Sequence, residues 1–177
     1  MSPRMRSRAL LPLLLVALAI GAGAEAAARP DFRLPGLDGR KLGPRDFAGK
    51  VVVVDFWATW CGPCHAQAEI LRRVHGQYTA GQVQFLAVDV GEDEKTVRAF
   101  VKKSPFPYPV LLDEKESVSG KLGVVGFPTL MILDTKGEVA YLRPGIIPEK
   151  RLRELLQRAG AAPDNPRIAN PVKPASP

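Results

Sequence analysis

Cysteine is nearly absent from this chain, with two residues in 177. So low a number excludes a disulfide-rich scaffold, in which several bridges stand in for a core. No apolar stretch approaches the ~18 consecutive residues of an ordinary transmembrane helix, and no repeat occurs at the periods of solenoid proteins. A wholly disordered chain is excluded by the 46% of hydrophobic residues. At about 100–200 residues per domain, the length predicts one domain with a real core. The surplus is in positive charge, 25 Lys+Arg against 18 Asp+Glu and a net +7. Such a balance invites a nucleic-acid partner, so the placement of the basic residues decides its meaning.

Part of the charge is a targeting label. Arg4, Arg6 and Arg8 form a positive start, Ala9 to Ile20 is an apolar run, and Gly21-Ala22-Gly23-Ala24 supplies small residues. This is the pattern of a secretory signal over residues 1–28, with cleavage before Glu25 or before Arg29. An uncleaved membrane anchor is the rival reading, but Ala9 to Ala24 is only 16 residues long and is interrupted by Pro12, Gly21 and Gly23. No cysteine lies at the cleavage region, so a lipid anchor there is not expected. Cleavage before Glu25 removes three arginines and no acid, leaving +4. The argument for nucleic acid largely disappears, and export to a periplasm-like compartment takes its place.

Residues 30–160 alternate strand and helix signals. Phe32-Arg33-Leu34 and Arg40-Lys41-Leu42 flank Leu37-Asp38-Gly39, which predicts an entry hairpin. Val51 to Phe56 is a β-branched run without alternation, the mark of a central strand covered on both faces. Ile70, Leu71, Val74 and Tyr78 recur at helical spacing, which predicts a helix from Pro63 to about Tyr78, ended by Gly81. A strand over Val83 to Asp89 and a helix over Asp93 to Lys103 follow. Beyond a proline-rich loop come a short strand at Val110, a small helix near Ser117, strands at Thr129 to Leu133 and Glu138 to Arg143, and a last helix between Pro148 and Gly160. The order is that of an α/β layered domain. From Ala161 onward, five prolines in 17 residues predict an extended tail without a packed core.

Both cysteines fall in one motif, Cys61-Gly62-Pro63-Cys64, directly after the buried-type strand and at the start of a helix. A thiolate on a first helical turn meets unsatisfied backbone N–H groups and the positive end of the helix dipole. Thioredoxin-like motifs lower a thiol pKa from ~8.5 toward ~7 in this way, worth ~2 kcal/mol. Cys61 is therefore the expected nucleophile. Cys64, one turn further on, is expected to be more buried and to attack the mixed disulfide that Cys61 forms.

At these residues the chain resembles thioredoxin-fold thiol:disulfide oxidoreductases, most closely the secreted TlpA/ResA-like branch. The resemblance runs from about Pro30 to Leu156. It rests on Asp31-Phe32, Leu37-Asp38-Gly39, Gly49-Lys50-Val51-Val52-Val53, Phe56-Trp57-Ala58-Thr59-Trp60-Cys61-Gly62-Pro63-Cys64 and Gly126-Phe127-Pro128-Thr129. It implies a three-layer α/β thioredoxin-like fold with a central mixed sheet, an N-terminal hairpin extension and an insertion over Gly91 to Gly123. It also implies that Cys61 and Cys64 form a redox-active disulfide, that Pro128 is a cis-proline beside them, and that Phe127 offers its backbone to an extended substrate segment. Trp60, Gly62 and Pro63 complete the expected substrate surface. Asp55, on the central strand, matches a buried aspartate that serves thioredoxins as proton acceptor for the second cysteine, although much of this branch carries asparagine there. A carboxylate buried by an apolar strand has a raised pKa, as a base working near neutral pH requires. Its rival is an Asp bonded to backbone.

Two positions depart from the branch. Gln67 replaces a glutamate usual in cytochrome-maturation members, and Glu69 replaces a helix-kinking proline. Other chemistries fit less of the sequence. Cys61-Gly62-Pro63-Cys64-His65 also satisfies the haem-attachment pattern, with Met131 as an axial candidate, but Met131 falls in a predicted strand. Zinc would have one C-x-x-C with His65 and His75 and no second pair. A peroxidatic cysteine would resemble Thr-x-x-Cys, whereas Thr59 lies two residues before Cys61. The expectation is a monomeric exported enzyme without cofactor or metal, reducing oxidised proteins and supplied with electrons by a membrane thiol-transfer protein. A protein-thiol oxidant and a peroxide-reducing thioredoxin-like protein are the alternatives.

Overall fold

The computed structural model describes residues 29–162; the expected signal and nearly all of the expected tail lie outside the described residues. The chain runs β1 (Leu34–Pro35), β2 (Lys41–Leu42), a 3-10 turn (Pro44–Phe47), β3 (Val51–Trp57), α1 (Gly62–His75), β4 (Val83–Val90), α2 (Glu94–Lys103), β5 (Val110–Asp113), α3 (Ser117–Lys121), β6 (Thr129–Leu133), β7 (Val139–Pro144) and α4 (Glu149–Arg158). The main sheet has the order β5-β4-β3-β6-β7. Strands β3, β4 and β5 are parallel through the crossover helices α1 and α2, while β6 and β7 return antiparallel. The β-branched run therefore occupies the middle of a mixed sheet, and all seven of its residues are buried.

The two faces of β3 divide the core. Val51, Val53 and Trp57 pack with Leu71 and Val74 of α1, Val97 and Phe100 of α2, and Leu152 and Leu156 of α4. Val52, Val54 and Phe56 pack on the other side with Leu34, Met131, Phe47 and Val118. Helices α1, α2 and α4 thus form one outer layer, and α3, the 3-10 turn and the hairpin form the other. The expected hairpin is present as two short strands, with Leu34 opposite Leu42. Gly39 in its turn has φ +80°, a conformation that favours glycine. The hairpin is pinned to the sheet edge where the Leu37 N–H donates to the Val110 carbonyl at 3.0 Å.

One boundary is corrected. Helix α1 ends at His75, capped by the Gly76 N–H on the Arg72 and Val74 carbonyls, and not at Gly81. The chain then tightens, with the Gln77 N–H donating to Val74 and the Tyr78 N–H to His75. Tyr78 is buried in the core from this turn, so its apolar spacing continues the helical period past the end of the helix.

Candidate active site

Strand β3 ends at Trp57, and four residues later α1 begins with Cys61 as its N-cap. Pro63 occupies the first turn, where its missing N–H costs nothing. Cys61 and Cys64 form a disulfide with an S–S distance of 2.08 Å. The Cys64 N–H donates to the Cys61 sulfur at 3.2 Å and to the Cys61 carbonyl at 3.1 Å. The first sulfur therefore lies against the N-terminal amides of a 14-residue helix, the place where a sulfur anion is stabilised. The expected contrast in burial is slight, with Cys61 4% and Cys64 1% exposed. Joined by one bond, the two sulfurs share one environment.

The residue before Cys61 is an exposed aromatic. Among the described residues the exposed large hydrophobic side chains are Trp60, 70% exposed, Val125, 91% exposed, and Ile146. The Trp60 ring meets Phe127 edge to face at 6.0 Å. The Phe127–Pro128 peptide is cis. Among the described residues neither the N–H nor the carbonyl of Phe127 makes a hydrogen bond, while the Pro128 carbonyl accepts the Gly145 N–H at 2.7 Å. Trp60, Gly62 and Pro63 thus adjoin the cysteines at the start of α1, and the Trp60–Phe127 contact brings the cis-proline segment to that loop. Val125 and Ile146 carry no motif, and their exposure depends on where their loops fall.

Asp55 lies behind this surface on β3, between Ala87 of β4 and Leu130 of β6. By alternation it shares the sheet face of Val53, Trp57 and the cysteines. Neither carboxyl oxygen has a hydrogen-bond partner, so the backbone-bonded alternative does not hold. Burial without a partner pushes its pKa up to about 7. A crevice of about 30 Å³, room for one water, reaches Cys64 between Trp57, His65, Arg72, Phe100 and Phe106. A larger concavity lined by Arg45, Lys50 and Lys136 opens at the start of β3, away from the cysteines.

The residues of the rival chemistries are dispersed. His65 donates from Nε2 to the Thr59 carbonyl at 3.0 Å and stacks on Phe100. His75, at the other end of α1, packs against Phe85 and Tyr108. Met131 is buried on the sheet face opposite the cysteines. Gln67, fully buried one turn beyond Cys64, accepts the Ile147 N–H at 2.7 Å.

A second buried acid escaped the reading of the sequence. Asp89, near the end of β4, is fully buried and its oxygens have no partner. Its signal was available, a charged residue inside the apolar run Val83 to Val90, as Asp55 is inside Val51 to Trp57. Glu92, just beyond, accepts the Thr59 N–H at 2.5 Å and the Thr59 hydroxyl at 2.6 Å.

Comparison with known proteins agrees with this geometry. The Redoxin family model matches residues 23–156. The thiol-disulfide oxidoreductase ResA of Geobacillus thermodenitrificans is 31% identical over 139 residues, covering 78% of each chain. The thioredoxin-like protein YneN of Bacillus subtilis is 33% identical over 135 residues, 75% of this chain and 78% of its own. Among solved structures, a Chlorobium tepidum protein provisionally named thiol:disulfide interchange protein DsbE superposes with a TM-score of 0.68 at 32% identity, over 74% of this chain and 94% of that one. With a helix-capping cysteine pair on a thioredoxin-like sheet and relatives of this kind, the chain belongs to the redoxin family, as a TlpA/ResA-like thiol-disulfide oxidoreductase.

Proposed function

We propose that this oxidoreductase is exported and reduces disulfides of periplasmic proteins through Cys61. The observation that carries the reading is the disulfide at the N-terminus of α1, backed by an unpaired buried carboxyl and preceded by the exposed aromatic ring of Trp60.

The electrons and protons balance as follows. In the dithiol form the Cys61 thiolate attacks one sulfur of a substrate disulfide, that S–S bond breaks, and the leaving thiolate takes a proton from water. Asp55, with a pKa near neutrality, accepts the Cys64 thiol proton. The Cys64 thiolate then attacks the Cys61 sulfur, the mixed disulfide breaks, and the second substrate thiolate leaves. Two electrons have passed to the substrate and the Cys61–Cys64 disulfide remains. A membrane thiol-transfer protein restores the dithiol from outside the oxidising compartment. Substrate enters as an extended segment over Trp60, Val125 and Ile146, pairing with the free backbone groups of Phe127.

The test is a Cys64→Ser variant, which keeps the attacking thiol and removes the resolving one. Incubated with periplasmic extract, it accumulates mixed disulfides through Cys61, and the wild-type dithiol protein reduces insulin. Recovery of no mixed disulfide, together with no insulin reduction, overturns the reading. A wild-type protein that oxidises dithiol substrates faster than it reduces disulfides assigns the opposite direction to the same pair.

A further inference from the structure

Asp89 has no role in the exchange steps above, yet it is placed to affect them. Its side chain is on the cysteine face of the sheet, opposite Trp57 in the β3–β4 register and Leu112 in the β4–β5 register. Neither oxygen has a hydrogen-bond partner, the indole N–H of its neighbour Trp57 is unbonded, and the one donor near it is the Glu92 backbone N–H, a lesser influence. What faces it within hydrogen-bonding reach is another carboxyl, that of Glu92. Both oxygens of Glu92 are occupied on their other side by Thr59, through its N–H and its hydroxyl. The third polar group of Thr59, its carbonyl, accepts from His65. Thr59 is therefore held on all three sides, and two residues later the chain reaches Cys61.

Two carboxylates cannot hydrogen-bond to each other, because both only accept. One proton between them supplies the missing donor. Glu92 already receives two hydrogen bonds from Thr59, so the proton belongs on Asp89, whose oxygens have no hydrogen-bond partner. We propose that Asp89 is a positioning residue for thiol exchange: as a neutral acid it donates to Glu92, keeps Glu92 on Thr59, and so fixes the loop that carries Cys61. On ionisation it repels Glu92 and loosens Thr59. Burial and the adjoining Glu92 charge push Asp89 up to about 8, so the loosening falls at mildly alkaline pH. The other titratable groups nearby are Asp55 on the same face of β3 and His65 on α1, whereas α2 and β5 present the apolar Phe100 and Leu112.

The inference rests on the thiol-exchange reading of Cys61, and its test separates the two. In the oxidised full-length protein, the Thr59 amide resonance follows the hydrogen bond to Glu92 without any exchange taking place. We expect it to move with an inflection near pH 8 in the wild type and to lose that inflection in Asp89→Asn, whose amide donates to Glu92 and cannot ionise. In the reduced protein, the rate with an uncharged aromatic disulfide is expected to rise with pH and turn down above about pH 8, and the downturn is lost in Asp89→Asn. Should that variant not fold, Glu92→Gln serves instead, since its amide donates to Asp89 and moves the inflection to lower pH. A flat Thr59 resonance in the wild type, or an unchanged inflection in both variants, overturns the inference. Failure of the wild type to exchange with any disulfide overturns the function while the Thr59 titration still reads out Asp89.

Discussion

The side-chain carbonyl of Gln67 accepts the backbone N–H of Ile147 at 2.7 Å, joining positions 80 residues apart. One turn of α1 beyond Cys64 is thereby tied to the loop between β7 and α4. The same loop is tied to the cis-proline segment by the Gly145 N–H on the Pro128 carbonyl. Three sequence-distant segments are held together by two hydrogen bonds.

Gln67→Ala leaves the buried Ile147 N–H without an acceptor, a loss of about 1–3 kcal/mol. Urea unfolding is expected to show it, together with a raised KM for a protein disulfide. Gln67→Glu keeps the acceptor but buries a carboxyl whose pKa rises. The variant is then stable at low pH and loses stability as pH rises from the ordinary carboxylate range through that raised value, which unfolding at pH 4 and pH 8 will measure.

Asp55 imposes the same cost on the natural protein. Its pKa is raised from 3.8 to about 7. The folded state therefore holds a proton that the unfolded chain has released, and stability falls as pH rises between those values. At about 1.4 kcal/mol per pKa unit the cost above pH 7 is about 4 kcal/mol. Asp55→Asn is expected to stabilise the oxidised protein by a few kcal/mol at pH 8 and by almost nothing at pH 3. The same variant slows release of the mixed disulfide by on the order of 10²-fold, the lower end for loss of a general base. Denaturant curves at the two pH values and stopped-flow kinetics separate the two effects.

Asp113 is buried and accepts hydrogen bonds, as Asp55 does not. Its carboxylate takes the N–H groups of Ser117, Val118 and Ser119 at the start of α3. Asp113→Ala removes the acceptor for all three and is expected to cost about 2–4 kcal/mol, more than an ordinary lost cap of about 1 kcal/mol, because the site is buried. Thermal unfolding measures this, and exchange activity at temperatures where the variant stays folded is retained.

Trp60 and Val125 test the docking surface. Both are exposed, so Trp60→Ala and Val125→Ser are expected to change stability by less than about 0.5 kcal/mol. Loss of an aromatic anchor at a binding surface costs about 1–2 kcal/mol, which predicts roughly a tenfold rise in KM for a protein disulfide in Trp60→Ala. Reduction of a small-molecule disulfide, which does not use that surface, keeps its rate.

Much of the layered fold is legible because local signals and tertiary position coincide. The unbroken valine run at 51–54 belongs to the middle strand of the five. Asp38-Gly39 marks a real turn, where the Asp38 carboxylate accepts the Arg40 N–H. The end of α1 is not legible in this way, since a buried Tyr78 in a tight turn mimics another helical turn. At the site, Asp55 is conspicuous because the cysteine motif follows six residues later, just beyond the same strand. Asp89 has the same local environment, but its neighbour Glu92 meets Thr59 33 residues away in sequence, across α1 and β4, so the link to the cysteine loop exists only once the sheet is assembled. Val125 and Ile146 illustrate the same limit, because a side chain in a loop is exposed or covered according to what that loop meets.

The division of the core by β3 has a consequence for how this protein can change. Among the described residues, the buried side-chain atoms without partners belong to Asp55, Trp57, Gln67, Gln77, Tyr78, Asp89 and Tyr108, all on the layer of α1 and the cysteines. On the opposite layer the buried polar groups are matched, as Asp113 is by α3 and Thr129 by the Gly126 carbonyl. Adaptation to heat can draw on that second layer, repacking Leu86, Met131 and Leu133 while the chemistry is untouched. The reactive layer has no such freedom, and its unpaired groups are the toll that reactivity levies on stability.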